Sequence, residues 1–324
     1  VNQEFHHGLA GSIARSGESV LFKVVRSAMH NALEQVTMQC GQLSLAGFSI
    51  SGLATYLQVP QLDLCFDMGE CPLSAVPLRH VFLTHAHGDH ARCIPRHRAL
   101  RGMLGLVGEA TYFMPAAIAA GFHDVAKADA RFEGVRDQDY IAPTVVALAG
   151  DETLVPLPYR KNTFVRAFPV DHRGVPSLGY TIIERRRKLL DAFAHLPGPE
   201  IAALRRAGTQ VTNDTDAPLV TFIGDCVGSS LKEQAHIWQS PVLVIETTFV
   251  DPDDRAMATM KGHTHIDEVG EVIAALGPDA LPEHIVIKHF SMRVTRDEVL
   301  AAIERAIPPF ARSRIRPFMA SVAS

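Results

Sequence analysis

A chain of 324 residues, 47% apolar and 20% charged with a formal net charge of −4, can hold one large or two modest domains and a sizeable core, which excludes a disordered or coat-like protein. Its overall charge gives no sign of nucleic-acid affinity, and its five cysteines (Cys40, Cys65, Cys71, Cys93 and Cys226) form no C-x-x-C pair and are too few for a disulfide framework. No apolar run reaches bilayer length and the polar Val1-Asn2-Gln3-Glu4 lacks a signal-peptide pattern, so a reducing compartment, the cytoplasm, and no membrane contact are expected.

In chain order, strand-like runs are expected at Leu45 to Ile50, Leu62 to Phe66, Val81 to Thr84 and Ala110 to Phe113. Helical periodicity begins after Pro115 and runs to Ala130, with Ala116, Ile118, Ala119 and Phe122 on one face. Strands return at Val145 to Leu148, Phe164 to Val170, Gly179 to Ile183, Leu219 to Ile223 and Val242 to Ile245. The last units are a helix over Ile266 to Leu276, a strand over Ile285 to Ile287 and a helix over Arg296 to Ile307. Strands that first pair as meanders and then alternate with helices predict an α/β fold of two facing sheets with helices outside.

The densest chemistry follows the third strand, in His85-Ala86-His87-Gly88-Asp89-His90. Three imidazoles and a carboxylate at a strand end suit two divalent ions, and imidazole with a single carboxylate favours zinc over calcium or magnesium. A solvated polar loop is the bland alternative. Three more strand ends each deliver one ligand-type residue: His172, Asp225 and His289. Singly they could cap a strand, open a turn or sit satisfied in the core. Two ions roughly 3.5–4 Å apart would pin a hydroxide and neutralise phosphoryl charge during hydrolysis.

The string after a buried strand resembles the signature of the metallo-β-lactamase superfamily. Further matches are Phe66-Asp67-Met68-Gly69-Glu70, Val170-Asp171-His172, Ile223-Gly224-Asp225, Gly262-His263 and His289-Phe290-Ser291, whose order and spacing resemble the ribonuclease Z (tRNase Z) branch. The resemblance implies an αβ/βα sandwich of two mixed sheets packed face to face. It also implies two Zn2+ ions, with Mn2+ or Fe2+ as alternatives: His85, His87 and His172 around one, Asp89, His90 and His289 around the other, and Asp225 between them. Asp67 would orient a ligand histidine. A metal-bound hydroxide is the implied nucleophile, and a homodimer the implied assembly.

The same resemblance matches Glu246 and His263 to a carboxylate and histidine that protonate the leaving group, so Asp89, His263 and Glu246 are the expected catalytic residues. Ile245, Thr247 and His265 depart from the family pattern; His265 reads as a helix-start residue facing solvent. Arg185, Arg186, Arg187, Lys188, Arg205 and Arg206 could bind phosphate or RNA, although a charge run is more often a solvated helix face. Cys71 and Cys226 adjoin site motifs and could line the pocket.

The expected organisation is an N-terminal extension or edge strands at 1–44, a hydrolase domain at 45–307 with a short insertion near 184–217, and a tail at 308–324. The expected activity is a phosphodiesterase acting on RNA 3′ ends, precursor tRNA among them, or on smaller phosphodiesters. A hydrolase of thioesters, lactones or sulfate esters is the alternative enzyme, and a non-catalytic binding relative the alternative outside enzymes.

Overall fold

The computed structural model describes residues 35–106 and 110–319. The polar N-terminus Val1–Glu4, most of the expected 1–44 extension and residues 320–324 of the expected tail lie outside the described residues. Within them, β1 (Val36–Cys40), β2 (Leu43–Ser51), β3 (Ala54–Val59), β4 (Leu64–Phe66), β5 (His80–Phe82), β6 (Thr111–Pro115) and β7 (Thr144–Leu148) are neighbours in that order. Pairing is antiparallel up to β4 and parallel from there to β7.

A second sheet takes β8 (Leu154–Pro156), β9 (Thr163–Pro169), β10 (Leu178–Leu189) and β11 (Thr212–Ile223) antiparallel. It continues in parallel through β12 (Val242–Glu246) and β13 (His284–Lys288). The two-residue β14 (Phe290–Ser291) crosses to the first sheet and pairs with β2. Finally β15 (Ile315–Pro317) closes the second sheet against β13. β1, within the expected 1–44 segment, is the edge strand of the first sheet, and β15, within the expected 308–324 tail, is the edge strand of the second.

The layers follow from alternation. Leu57, Phe66 and Phe82 of the first sheet meet Tyr180, Phe222, Val244 and Val286 of the second, with Phe66 and Phe222 stacked at 4.5 Å. The opposite face of the second sheet carries Ile245, Ile285 and Ile287 against Val269, Ile273, Val299 and Ile303 of the helices Ile266–Leu276 and Arg296–Ala306. Val81, Leu83 and Tyr112 of the first sheet pack beneath the helices Ile94–Met103 and Ala116–Phe132. The result is helix, sheet, sheet, helix: the αβ/βα sandwich of the metallo-β-lactamase fold. Each large side chain fully buried in these cores contributes roughly 1.5–3 kcal/mol.

Two features near 184–217 and 265 differ from expectation. The segment at 184–217 is an extension of β10 and β11, twelve residues each, which carries the helix Gly198–Arg206 at its far end. Arg185, Arg186, Arg187 and Lys188 are thus on a strand and not on a helix face. His265 does start a helix, but it is buried: its ring accepts from the Asp267 N–H and lies 2.7 Å from the Asp251 carbonyl, in a capping box with Glu268.

Candidate metal centre

Every ligand-type residue leaves the carboxyl end of a strand. Phe82 ends β5, and Leu83 and Thr84 lead out to His85; His172 follows β9, Asp225 follows β11, and His289 follows β13. Sheet ends converge because the two sheets face each other, so residues far apart in sequence meet. His90 and His289, 199 positions apart, bring their Nε2 atoms to 3.3 Å, and His87 Nδ1 and His172 Nε2 are also 3.3 Å apart.

Backbone and hydroxyl groups set the rings. His85 Nδ1 lies 3.0 Å from Thr84 Oγ1, His90 Nδ1 2.8 Å from Asp67 Oδ2, His172 Nδ1 2.8 Å from the Gly262 carbonyl and His289 Nδ1 2.9 Å from Thr248 Oγ1. With Nδ1–H donating outward in each case, Nε2 is left as an inward-facing lone pair. Asp67 is itself pinned by the Thr84 N–H at 2.8 Å and hydroxyl at 2.9 Å. Sequence reasoning identified Asp67 but gave no role to Thr84, Thr248 or the Gly262 carbonyl. Thr84 and Thr248 adjoin or lie within recognised motifs, which is the signal that could have marked them.

The ligand atoms of His85, His87, His172 and Asp225 lie within 4.8 Å of one another, as do those of Asp89, His90 and His289. Asp225 also groups with His263 and His289, and its Oδ2 stands 3.3 Å from His90 Nε2 and 3.9 Å from His85 Nε2. Asp89 Oδ2 accepts from the Gly52 N–H at 2.8 Å and lies 3.5 Å from His289 Nε2.

Ring nitrogens 3.3 Å apart need a proton or a metal ion between them. Buried His85 Nε2 and Asp225 Oδ1 have no hydrogen-bond partner among the described residues. Burial, reinforced by neighbouring imidazoles, pushes the His85 pKa far down, and burial also lowers those of His87 and His289. At Asp225 burial works upward, yet the imidazoles of His289, His90 and His85 hold the carboxyl well below its usual range. Neutral rings beside ionised carboxylates are the donor set of a divalent ion. His90 alone goes the other way: burial opposes protonation, but Asp225 and Asp67 override it and push its pKa up to about 10, a cation demand that a metal would meet instead.

At the mouth, His87 is exposed and Asp89 half-buried, and His263 stands beside them with Nδ1 3.2 Å from Glu246 Oε1. Glu246 is wholly buried and accepts from the N–H groups of Cys226, Thr264 and Thr248 and from the Thr248 hydroxyl. Burial opposes charge on both members of the pair. Their mutual attraction wins, lowering the pKa of Glu246 and raising that of His263. Cys226 contributes its backbone and packs its sulphur in the core, and Cys71 is buried as well.

The basic residues lie elsewhere, on the hairpin. Arg185 pairs bidentately with Asp216 at 2.7 and 2.9 Å, Arg187 with Asp214 at 3.4 Å, Arg186 with Glu184 at 2.6 Å and Lys188 with Asp191 at 3.9 Å. Arg205 and Arg206 sit in the last turn of the far helix, without a carboxylate partner among the described residues.

No family model matches the chain. Among curated proteins, it is 30% identical to the chloroplastic tRNase Z TRZ2 of Arabidopsis thaliana over 275 residues, covering 84% of this chain and 74% of the relative. The chain belongs to the ribonuclease Z family. Other relatives agree: tRNase Z TRZ1 of Arabidopsis thaliana is 29% identical, over 86% of this chain and 95% of its own length. The nuclear ribonuclease Z of Triticum aestivum is 36% identical over 52% of this chain and 90% of its own. In three dimensions the metallo-β-lactamase fold protein YhfI from Bacillus subtilis superposes with a TM-score of 0.51 at 14% identity, covering 85% of this chain and 94% of that one. Like its ribonuclease Z relatives, the chain is a metal-dependent hydrolase. No helix among the described residues is long and apolar enough to cross a membrane.

Proposed function

We propose that this ribonuclease Z relative is a di-zinc endoribonuclease that cuts precursor tRNA at its 3′ side. The observation that carries the reading is the double group of ligand atoms joined through Asp225, beside the Glu246–His263 pair. His85, His87 and His172 would hold one ion, Asp89, His90 and His289 the other, and Asp225 would be shared. Bound divalent ions would supply an activated water and neutralise charge on the phosphoryl group.

The chain's own residues do the rest. Thr84, Asp67, Thr248 and the Gly262 carbonyl hold the imidazoles in the tautomer that presents Nε2. His263 donates Nδ1–H to Glu246, which leaves Nε2 to carry a proton to the departing ribose oxygen. Glu246 raises the pKa of that imidazole against the effect of burial. The open side of the centre, at His87, Asp89 and His263, is where a phosphodiester can enter.

RNA contacts on the hairpin fall to Arg205 and Arg206, since Arg185, Arg186, Arg187 and Lys188 face acidic neighbours. A homodimer would find an apolar face at the cavity of 470 Å³ lined by Leu83, Ala86, Ile118, Phe122 and Val125, beside the ligand loop.

Metal-loaded protein incubated with precursor tRNA, in parallel with cyclic nucleotides, thioesters and lactones, tests the reading. Cleavage of the tRNA at the 3′ side, absent in Asp225→Ala, is the expected result. Turnover of only a thioester or lactone would replace the substrate class, and full activity in Asp225→Ala would remove the metal centre from the chemistry.

A further inference from the structure

The turn between β2 and β3 reaches over the group formed by Asp89, His90 and His289. Ile50 and Ala54 are register partners, and the Leu53 N–H donates to the Ile50 carbonyl at 3.1 Å, which closes a four-residue turn with Gly52 in its third position. Gly52 alone of the four has a positive φ, +71°, the pattern of a type II turn. From there its N–H donates to Asp89 Oδ2 at 2.8 Å. The same oxygen lies 3.5 Å from His289 Nε2 and 3.6 Å from His90 Nε2.

Further contacts hold the turn against the centre. Arg92, which follows the short helix Gly88–Ala91, donates from Nη2 to the Leu53 carbonyl and from Nε to the Gly69 carbonyl at 3.1 Å. Gly69 approaches the ligand loop so closely that a Cβ there would stand 1.8 Å from the Asp89 carbonyl oxygen. On the other side Ile50 and Ser51 pair with Phe290 and Ser291, the two residues after His289. One turn thus touches Asp89 directly and His289 through a strand pairing.

A side chain at Gly52 would have room, since a Cβ placed there meets nothing within 4 Å. The constraint is conformational: positive φ is free for glycine, accessible to asparagine and strained for β-branched valine. Relaxation to a type I turn flips the central peptide, here Ser51–Gly52. That flip takes the Gly52 N–H away from Asp89 and turns the Ser51 carbonyl toward the carboxylate.

We propose that Gly52 is a positioning residue for the ion held by Asp89, His90 and His289: its turn aims the Asp89 carboxylate and ties it to the strand that follows His289. The inference rests on the two-ion reading of the centre. It deepens that reading by making one ion depend on the conformation of a turn that supplies no ligand.

Chelator competition, which resolves two zinc affinities, compares the native chain with Gly52→Asn, Gly52→Val, Arg92→Ala and Asp89→Ala. Gly52→Val is expected to weaken one affinity by roughly 10–100-fold, the range for loss of a group that orients a metal ligand, and to leave the other unchanged. The weakened affinity should be the one that Asp89→Ala abolishes. Gly52→Asn, which keeps the turn type, should hold both ions as the native chain does. Arg92→Ala, which frees the turn from its other end, should weaken the same ion about tenfold. Thermal unfolding of the metal-free variants shows which are folded. Affinities that do not differ between Gly52→Asn and Gly52→Val, or equal weakening of both ions in folded Gly52→Val, would overturn the proposal. If Gly52→Val does not fold, unchanged zinc affinities in Arg92→Ala overturn it. A native chain that takes up fewer than two ions would defeat the two-ion reading and the proposal with it.

Discussion

Thr248 touches Glu246, His263 and His289 with one hydroxyl oxygen, at 2.8, 3.2 and 2.9 Å, so the proton-handling pair and a ligand imidazole share a pivot. His263 is the member of this group that meets solvent, and its raised pKa depends on Glu246. Replacing His263 with alanine should therefore slow RNA cleavage, with its poor alkoxide leaving group, by about 10²–10⁴-fold, and bis(p-nitrophenyl) phosphate far less. Equal losses on both substrates, in steady-state kcat/KM, would remove the general-acid role. The histidines and aspartates that the fold gathers stood out in sequence because strand-end histidines and aspartates are rare in combination. The residues that aim them did not: Thr84 and Thr248 act through a hydroxyl, and a threonine in a strand-like run reads as ordinary β-propensity. His265 was misread for a similar reason, since a helix-start histidine looks solvated until its carbonyl partner on Asp251 is known.

At the scale of elements, the helix Ile266–Leu276 matches its sequence expectation to the residue, because its apolar stripe and capping box point to the same boundaries. β10 and β11 were each seen only at their apolar ends. Their outer halves alternate charges with charges, Arg185 against Asp216 and Arg187 against Asp214, and that complementarity exists only once the hairpin register is known. The run of four basic residues could be read as a phosphate site or as a solvated face, because the partners of Arg185 and Arg187 lie on the next strand, while those of Arg186 and Lys188 are sequence neighbours. Arg205 and Arg206 on the hairpin's far helix have no carboxylate partner among the described residues, and their double substitution to alanine should weaken precursor tRNA binding. The slope of log affinity against log salt should fall by roughly one per charge removed. Hydrolysis of bis(p-nitrophenyl) phosphate is the control, and an unchanged salt slope would place RNA contacts elsewhere.

Over the whole molecule, most of the long strands and helices were readable in order, but the central β3 and the helix Ile94–Met103 were not expected, nor were β8, β14 and β15, which are short and become strands only through their neighbours. Stability also has a reporter far from the metal ligands. His97, buried on the helix Ile94–Met103, accepts from the Tyr112 hydroxyl at 2.9 Å through Nδ1 and faces the Ala75 carbonyl through Nε2. Burial, with Arg101 nearby, lowers its pKa from 6.5 to about 4. The unfolded chain thus binds a proton that the folded chain refuses. Stability from this residue is complete above pH 6.5 and declines as pH falls toward 4, by roughly 3 kcal/mol in total. His97→Gln, followed by denaturant unfolding across that range, should show a shallower pH slope than the native chain; parallel slopes would refute the assignment.

The centre also straddles the seam of the sandwich. His85, His87, Asp89 and His90 come from the first sheet's end and His172, Asp225 and His289 from the second's, so the group of His85, His87, His172 and Asp225 and the group of Asp89, His90 and His289 each draw on both halves. An ion bound there is a cross-link as well as a reagent, one that forms only after the halves have docked. The free concentration of divalent ion then enters the folding equilibrium directly: once a site is saturated, each tenfold rise adds about 1.4 kcal/mol for every ion that the separated halves cannot bind. Withdrawal of the divalent ion would thus cost the enzyme's activity and loosen its architecture in the same step.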